Sequence, residues 1–225
     1  MNTAFEAWVA RPWRMLGELL RPEWAFRRRK VVATVVVFGS ARLPEGSHWY
    51  EQAREFSMRL AACEDPTCRE WVVMTGGGPG VMEAANRGAH EAGALTVGLN
   101  IRLPHEQQPN RYVSPGLGFE FRYFALRKFH FMLRARALVA FPGGFGTFDE
   151  LFEALTLVQT RKVERLPIIL VGRQFWQRAL DFDWLAEQGV ISAADAALVT
   201  IVDTGAEAAA AVLASHPPAH GHAGP

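Results

Sequence analysis

The sequence predicts an α/β fold, in which one open, mostly parallel sheet carries helices on both faces and forms a single domain. Two observations predict it: short apolar runs recur along the chain, and segments with helical periodicity separate them. Continuous β-branched runs are typical of strands that are buried on both faces of a parallel sheet. Regular alternation of strand and helix is typical of α/β proteins, and a length of 225 residues agrees with one domain.

Six apolar runs are predicted to be strands, and the first is the clearest. Residues 31–38 form a continuous β-branched run that ends at Gly39 and Ser40. The predicted strands lie at residues 31–38, 71–74, 95–98, 137–141, 167–171 and 199–202. The segments with helical periodicity lie at residues 48–62, 80–92, 122–135, 148–160, 174–187 and 205–214.

The two ends of the chain differ from this body. Residues 1–30 carry seven basic and three acidic side chains in a broken amphipathic pattern, with Pro12 at a kink or boundary. We expect a helical extension that packs on the domain or on a second subunit. It is followed by a basic run at residues 27–30, for which a solvated linker is expected and contact with an anionic partner is the alternative. The predicted domain spans residues 31–215, and the tail at residues 216–225 is predicted to be disordered. No metal site is expected in that tail, whose histidines are His216, His220 and His222.

Composition excludes several classes of protein. Hydrophobic residues make up 49% and charged residues 21%, which is typical of a globular domain and not of a disordered chain. The net charge of +1 indicates no nucleic-acid partner. No stretch of 18 apolar residues and no signal peptide are found, so we expect a cytoplasmic protein with no membrane partner. Cys63 and Cys68 are too few to staple such a domain and indicate a reducing compartment.

A first glycine-rich turn follows the second predicted strand. The sequence from Met74 to Glu83 contains four glycines and then opens a helix, and the glycines are Gly76, Gly77, Gly78 and Gly80. Glycines allow a ligand to approach the backbone, and a helix N-terminus favours an anion. The turn is neither a Walker loop nor a G-x-G-x-x-G dinucleotide turn. It predicts a phosphate or carboxylate site, with a merely tight strand–helix turn as the alternative.

A second glycine-rich turn spans residues 141–150, again between a strand and a helix. Thr147 is predicted to cap this helix, with Asp149 and Glu150 in its first turn, where they would complement the helix dipole. Carboxyl ends of parallel strands share one sheet edge, where ligands bind. Ser40, after the first strand, would face the same edge and add donors.

Two basic residues lie on the predicted helix that leads to this second turn. Arg127 and Lys128 are neighbours in sequence, so their side chains point about 100° apart and are unsuited to sharing a partner. One interpretation is a solvated basic stripe together with Arg134 and Arg136. The other is a cation placed over an anionic substrate, or a water-excluding pocket with Glu150.

Together these segments resemble the LOG (LONELY GUY) family. The family pattern P-G-G-x-G-T-x-x-E stands here as Pro142 to Glu150, an Arg-Lys pair precedes it, and the first glycine-rich turn resembles the family's nucleotide-binding turn. The resemblance implies a Rossmann-like domain and a homodimer. It implies that Arg127 and Glu150 are catalytic. The implied substrate- and phosphate-binding residues are Ser40, Gly76, Gly77, Gly78, Gly80, Met82, Glu83, Lys128, Gly143, Gly144, Gly146 and Thr147.

The resemblance also implies a reaction. Members are phosphoribohydrolases, which cleave the N-glycosidic bond of cytokinin riboside 5′-monophosphates or AMP-like nucleotides and release ribose 5-phosphate. A carboxylate suits such a reaction because the sugar becomes oxocarbenium-like. No metal or organic cofactor is expected. The alternative is a nucleotide-cofactor carrier without turnover. Lysine decarboxylation, an older label of the family, is disfavoured because none of the three lysines lies in a recognisable cofactor motif.

Overall fold

The computed structural model of the chain describes residues 3–66, 68–103 and 108–215, with the backbone alone for residues 3–9. The strands of this described part are β1 Ala33–Phe38, β2 Trp71–Thr75, β3 Thr96–Ile101, β4 Gly118–Phe121, β5 Ala135–Ala140, β6 Ile168–Val171 and β7 Val199–Val202. Its helices are α1 Thr3–Arg29, α2 His48–Ala61, α3 Val81–Glu91, α4 Phe124–Leu133, α5 Phe145–Gln159, α6 Arg173–Ala179, α7 Phe182–Glu187, α8 Ala193–Ala196 and α9 Gly205–Ala214.

The strands form one sheet in the order β4-β3-β2-β1-β5-β6-β7. All six neighbouring pairs are parallel, which confirms the predicted α/β fold. At the centre, Val36 of β1 lies between Met74 of β2 and Leu138 of β5. The chain reverses its direction of winding between β1 and β5, and such a switch point opens a crevice at the carboxyl ends of the strands.

Helices cover both faces of the sheet because successive residues of a strand point to opposite sides. Val35 and Val37 of β1 lie in a core with the buried sides of α2, α3 and α9. Val36 and Phe38 lie in a second core, with Phe26 of α1 and with buried residues of α4, α5 and α6. The continuous apolar run of β1 therefore has a direct physical explanation, since every one of its side chains is buried.

Three parts of the body differ from the sequence prediction. The short helix α8 was not predicted. The edge strand β4 was not predicted either, because only Phe121 of its four residues is buried and the strand lacks an apolar run. The single helix predicted at residues 174–187 is divided into α6 and α7. Asp181 separates them, since its side chain accepts a hydrogen bond from the backbone N–H of Trp184 at 2.9 Å and caps α7.

The prediction for the N-terminal segment is wrong in one respect. Pro12 and Pro22 both lie inside α1, which continues to Arg29, so the basic run at residues 27–29 forms the last turn of a helix and not a linker. Phe26 is fully buried and its ring meets Phe119 edge to face with centroids 5.5 Å apart. α1 therefore contacts the domain, which is one of the two alternatives given for this extension.

The cysteines also differ from expectation. Cys63 and Cys68, in the loop between α2 and β2, form a disulfide bond with their Cα atoms 6.0 Å apart. The separation of five residues allows this geometry, which the count of cysteines alone did not indicate. The predicted disorder of residues 216–225 and their histidines lie outside the described residues. Among the helices of the described part, none is long and apolar enough to cross a membrane.

Candidate active site

Three strand-end turns meet at the carboxyl edge of the sheet, and Ser40 connects them. The backbone N–H of Ser40 donates to the carbonyl of Pro142 at 3.0 Å, and its own carbonyl accepts from the N–H of Val81 at 3.0 Å. The turn after β1 is therefore bonded to both glycine-rich turns. The hydroxyl Oγ of Ser40 accepts from the N–H of Arg42 at 3.1 Å.

The first glycine-rich turn is held in its shape by a buried polar network. Thr75 donates its hydroxyl to Oδ1 of Asn86 at 2.7 Å and accepts from the N–H of Gly77 at 2.9 Å. Nδ2 of Asn110 donates to the same Asn86 oxygen at 2.9 Å and to the carbonyl of Gly78 at 3.0 Å. Side chains thus satisfy the hydrogen-bonding groups of the turn's backbone that would otherwise need water, and they hold the turn in one conformation.

Glycine is required at two positions of this turn. Gly77 and Gly80 have φ values of +70° and +69°, a left-handed conformation that disfavours other residues. A Cβ at Gly80 would also lie 2.8 Å from the carbonyl carbon of Ala41. The close approach of this turn to the Ser40 turn therefore depends on the absence of a side chain.

Met82 and Glu83, the two residues of α3 predicted to bind a ligand beside this turn, point in different directions. The sulfur of Met82 lies against Gly76, where a Cβ would come within 2.7 Å of it. The carboxylate of Glu83 accepts from the Tyr50 hydroxyl at 3.3 Å. Met82 thus borders the turn itself, whereas Glu83 joins α3 to α2.

The second glycine-rich turn begins its helix earlier than predicted. α5 starts at Phe145 with Gly144 as its N-cap, so Thr147 is the third helical residue and not the cap. Asp149 and Glu150 consequently lie in the second turn of α5, and the helix dipole alone does not explain them. Phe145 is almost fully exposed, and so the first N–H groups of α5 open to solvent, where an anion can reach them.

Glu150 and Arg127 form a buried ion pair next to this turn. Glu150 follows Thr147 by three residues, which places both on the buried face of α5. Nη2 of Arg127, on α4, donates to Oε1 of Glu150 at 2.9 Å, and the two side chains are only 12% and 6% exposed. The guanidinium also lies over the rings of Phe124 and Phe131, at 5.2 Å and 5.6 Å from their centroids. Its Nε is buried without a hydrogen-bond partner in the structure.

Lys128 has different partners from Arg127, in agreement with their divergent directions. Its ammonium lies 2.9 Å from Asp149 and 2.6 Å from Glu153, both on α5. Burial by itself would lower the pKa of Lys128, but the hydrogen bonds to these two carboxylates raise it. Lys128 therefore joins α4 to α5 and does not share the partner of Arg127.

Burial governs the ionisation of the central pair. Loss of contact with water raises the pKa of the Glu150 carboxyl to about 7, although the nearby charges of Arg127 and Lys128 oppose this rise. Burial also lowers the pKa of Arg127, while Glu150 acts in the opposite direction. The guanidinium remains charged at neutral pH because its ordinary pKa exceeds about 12. A carboxyl with a pKa near neutrality can accept or release a proton during a reaction.

The N-terminal helix holds α4, the helix that carries Arg127, at both of its ends. Oε1 and Oε2 of Glu18 accept from the backbone N–H groups of Arg122 and Tyr123 at 3.0 Å and 3.3 Å. This supplies a cap that α4 lacks on its own, since its N-cap residue makes no side-chain bond. At the other end, Glu23 accepts two bonds of 2.7 Å from Arg134, which hold the pKa of Glu23 below its ordinary value.

Comparison with known proteins identifies the family. A model of the family described as "Possible lysine decarboxylase" matches residues 82–212. The chain belongs to this family, the LOG family. It is 27% identical over 154 residues to a rice protein (Oryza sativa subsp. japonica) named "Probable cytokinin riboside 5′-monophosphate phosphoribohydrolase LOGL5", which covers 66% of this chain. It is 28% identical over 125 residues, 54% of this chain, to Arabidopsis thaliana cytokinin riboside 5′-monophosphate phosphoribohydrolase LOG2.

The chain spans 61% and 57% of the lengths of these two curated relatives. Among solved structures, it is similar to the molybdenum cofactor carrier protein of Chlamydomonas reinhardtii, with a TM-score of 0.57 and 27% identity. That similarity covers 80% of this chain and 95% of the other. Proteins named as phosphoribohydrolases and a carrier protein therefore share this LOG-family fold.

Several residues that shape this LOG-family site have no recognisable signal in the sequence. Asn110 lies in a segment without periodicity, so no local signal connects it to Gly78. Asn100 ends up 7% exposed with Oδ1 lacking a hydrogen-bond partner, and Gly77 packs against it. Glu18 acts across 104 positions of sequence, a distance at which one chain alone gives no signal.

The ionisation of Glu150 predicts how stability depends on pH. Its folded pKa of about 7 lies above the ordinary value of 4.5, so its stabilising contribution is complete below pH 4.5 and is lost as the pH rises through 7. We expect the free energy of unfolding of wild type, relative to Glu150→Gln, to fall by on the order of 3 kcal/mol between pH 4.5 and 7.5. Urea unfolding of both proteins across this range measures the difference. A difference independent of pH would show that Glu150 ionises normally.

Proposed function

We propose that this protein is a nucleoside 5′-monophosphate phosphoribohydrolase, which hydrolyses the N-glycosidic bond of adenine-type nucleotides and releases a free base and ribose 5-phosphate. The observation that carries the proposal is the buried Glu150–Arg127 pair beside a helix N-terminus that is open to an anion. This arrangement fits a nucleotide whose phosphate binds at the N-terminus of α5 while its N-glycosidic bond lies near Glu150. The names of the relatives support the same reaction.

Glu150 is proposed to act on the sugar and on the attacking water. Cleavage of the bond leaves positive charge on the ribose ring, and a carboxylate next to it stabilises that charge. The ion pair with Arg127 uses Oε1 of Glu150, so Oε2 is the oxygen that orients water and takes its proton. A pKa of about 7 suits this task, because the group is substantially ionised and yet basic enough to accept the proton.

Arg127 is proposed to orient Glu150 and to bind the substrate. It does not donate a proton readily because of its high pKa. Its Nε–H, which is buried without a partner, is a donor available to an oxygen of the nucleotide. The 5′-phosphate is proposed to lie on Gly143, Gly144, Gly146 and Thr147, at the start of α5. Binding there supplies energy that is remote from the reacting carbon and helps to position it.

Expected roles for the remaining predicted residues follow their positions. The first glycine-rich turn, with Met82 against it, is proposed to border the nucleoside. Lys128 and Glu83 are engaged with protein carboxylate and hydroxyl groups, so we propose that they support the site through helix contacts. The nucleotide is the only ligand that this mechanism requires.

A homodimer is also proposed. A groove of about 540 Å³ lies between α4 and α5, and its lining includes Phe129 and Leu133. Both are substantially exposed in the single chain, as are Phe124 and Phe152 on the same two helices. A second subunit would bury these apolar side chains next to the Arg127–Glu150 pair, and sedimentation velocity would reveal the dimer.

Two other functions, a cofactor carrier and a lysine decarboxylase, have less support. A carrier of a nucleotide-bearing cofactor is favoured by the similarity to the algal carrier, but such a protein has no need of a buried acid with a raised pKa. Lysine decarboxylation normally uses a lysine-bound pyridoxal phosphate. Here Lys128 is paired with two carboxylates, while Lys30 and Lys162 follow the last turns of α1 and α5, away from the glycine-rich turns.

A turnover assay tests the proposal. Purified protein is incubated with AMP, isopentenyladenosine monophosphate, GMP and CMP, and free base is quantified by chromatography. We expect release of base from the adenine nucleotides, with adenosine, which lacks the phosphate, at least 100-fold slower. Absence of release from all four, with AMP binding retained in calorimetry, would overturn the enzyme and support the carrier.

A further inference from the structure

The outward side of α1 carries an apolar stripe that the domain does not use. Trp13, Leu16, Leu20 and Trp24 are spaced by three or four residues, which places them on one face of the helix. Trp13 and Trp24 are 72% and 66% exposed, and Leu16 is also exposed. The opposite face contacts the domain through Phe26, which is fully buried.

Basic side chains flank this stripe. Arg21 and Arg28 are seven residues apart and therefore lie along one line beside it. The last turn adds Arg27 and Arg29, and Lys30 follows.

The acids of this helix do not balance those charges on the outward side. Glu18 is bonded to the backbone at the start of α4, and Glu23 is bonded to Arg134. Both carboxylates are thus directed toward the domain. From residue 10 onward, α1 has no acid besides Glu18 and Glu23, whereas it carries several arginines.

We propose that α1 docks this protein on anionic membrane surfaces, with its axis in the plane of the membrane. Helices that lie in this way carry aromatic and aliphatic groups on one side and Lys or Arg around them. Tryptophan is favoured at the boundary between headgroups and hydrocarbon. Anionic headgroups would pair with the flanking arginines. Residues 13–28 form a contact about 22 Å long, at 1.5 Å per residue.

Charge and exposure favour an anionic membrane as the partner of α1 over a second copy of the chain or a nucleic acid. A second copy of α1 would bring two unbalanced arginine-rich faces together, and their repulsion opposes such a dimer. A nucleic acid would engage the arginines but would leave Trp13 and Trp24 without a role. The expectation of no membrane partner depended on the absence of a spanning segment, and the described residues contain no membrane-crossing helix. Docking at the membrane surface needs no spanning segment and requires only a narrow apolar stripe.

Co-sedimentation with vesicles tests this proposal. The full chain is mixed with vesicles of phosphatidylcholine, or of phosphatidylcholine with 30% phosphatidylglycerol, at about 100 mM salt. We expect binding only to the anionic vesicles, with at least a tenfold loss at about 500 mM salt. Trp13→Ala/Trp24→Ala is expected to bind at least tenfold more weakly. Trp184→Ala, which removes a tryptophan that is 53% exposed on α7, serves as the matched control and is expected to bind like wild type.

Arg21→Gln/Arg28→Gln tests the charged part of the surface and is expected to lose the preference for anionic vesicles. All altered side chains are at the surface, so thermal unfolding should show unchanged midpoints. Equal binding by the double tryptophan variant, or equal binding to both vesicle types, would overturn the proposal. Failure to bind vesicles would also overturn it. A second copy of the chain would then be the partner if the stability of an oligomer depends on Trp13 and Trp24. A nucleic acid would be the partner if a duplex binds through the arginines alone.

Discussion

Glu150→Gln is expected to lower kcat/KM for the preferred nucleoside monophosphate by about 10³-fold, with little change in its dissociation constant. Glutamine keeps the size of the side chain and can still accept a hydrogen bond from Arg127. It loses the negative charge that stabilises the oxocarbenium-like sugar and the basic oxygen that takes the proton of water. Single-turnover rates and calorimetric binding of AMP separate the chemical step from affinity.

The control for this substitution is Glu187→Gln, which changes an exposed glutamate at the end of α7. It is expected to retain wild-type turnover. Glu150→Asp provides a graded test, because it keeps the charge but withdraws the carboxylate by one methylene. A Glu150→Gln enzyme with more than about a tenth of wild-type activity would place the catalytic carboxylate elsewhere.

The central fold could be predicted because its signals are local. Within the β-branched run at residues 31–38, the strand β1 (Ala33–Phe38) is buried on both sides, and this is the condition under which strands lose their alternating pattern. β4 was not predicted because only one residue of this edge strand, Phe121, is buried, so the strand carries no apolar run. The boundary between α6 and α7 depends on one capping side chain, Asp181, within a stretch that has helical periodicity.

The outline of the site could be predicted for a related reason. Carboxyl ends of parallel strands share an edge, so two glycine-rich turns in sequence imply one site in space. The details depend on contacts between distant segments. Arg127 and Glu150 are 23 residues apart, and only the packing of α4 on α5 brings them within 2.9 Å. The raised pKa of Glu150 follows from its burial, which sequence spacing does not reveal.

The Glu150–Arg127 pair shows how stability and function oppose each other here. Burial makes the carboxylate costly above its pKa, and a partner at 2.9 Å offsets this cost in part. The same burial removes the water that would weaken its interaction with a charged sugar. Replacement of Glu150 by a neutral residue would remove this cost but would leave the charge of Arg127 buried without its partner. The raised pKa of the Glu150 carboxyl serves an enzyme that moves a proton, and a carrier has no such use for it.

Arg127→Ala is expected to lower kcat/KM by about 10²–10³-fold at pH 7. The charge of Arg127 lowers the pKa of Glu150 against the effect of burial, so its removal raises that pKa further above 7. Less of the carboxylate is then ionised at neutral pH, and the Nε–H donor to the substrate is also lost. A profile of kcat/KM against pH, measured with AMP, should show the ascending limb moved to higher pH. Part of the lost activity should return as the pH rises.

The pH profile distinguishes this role from a purely structural one. Arg127→Lys keeps the positive charge but not the planar fork, so its ascending limb should stay nearer to that of wild type while its rate remains reduced. Arg59→Ala removes an arginine at the end of α2 whose side chain is 56% exposed, and is the matched control with an unchanged profile. An Arg127→Ala enzyme with reduced activity and an unshifted profile would indicate that the guanidinium binds substrate without setting the ionisation of Glu150. Its contribution would then lie in affinity, and KM rather than the pH dependence would change.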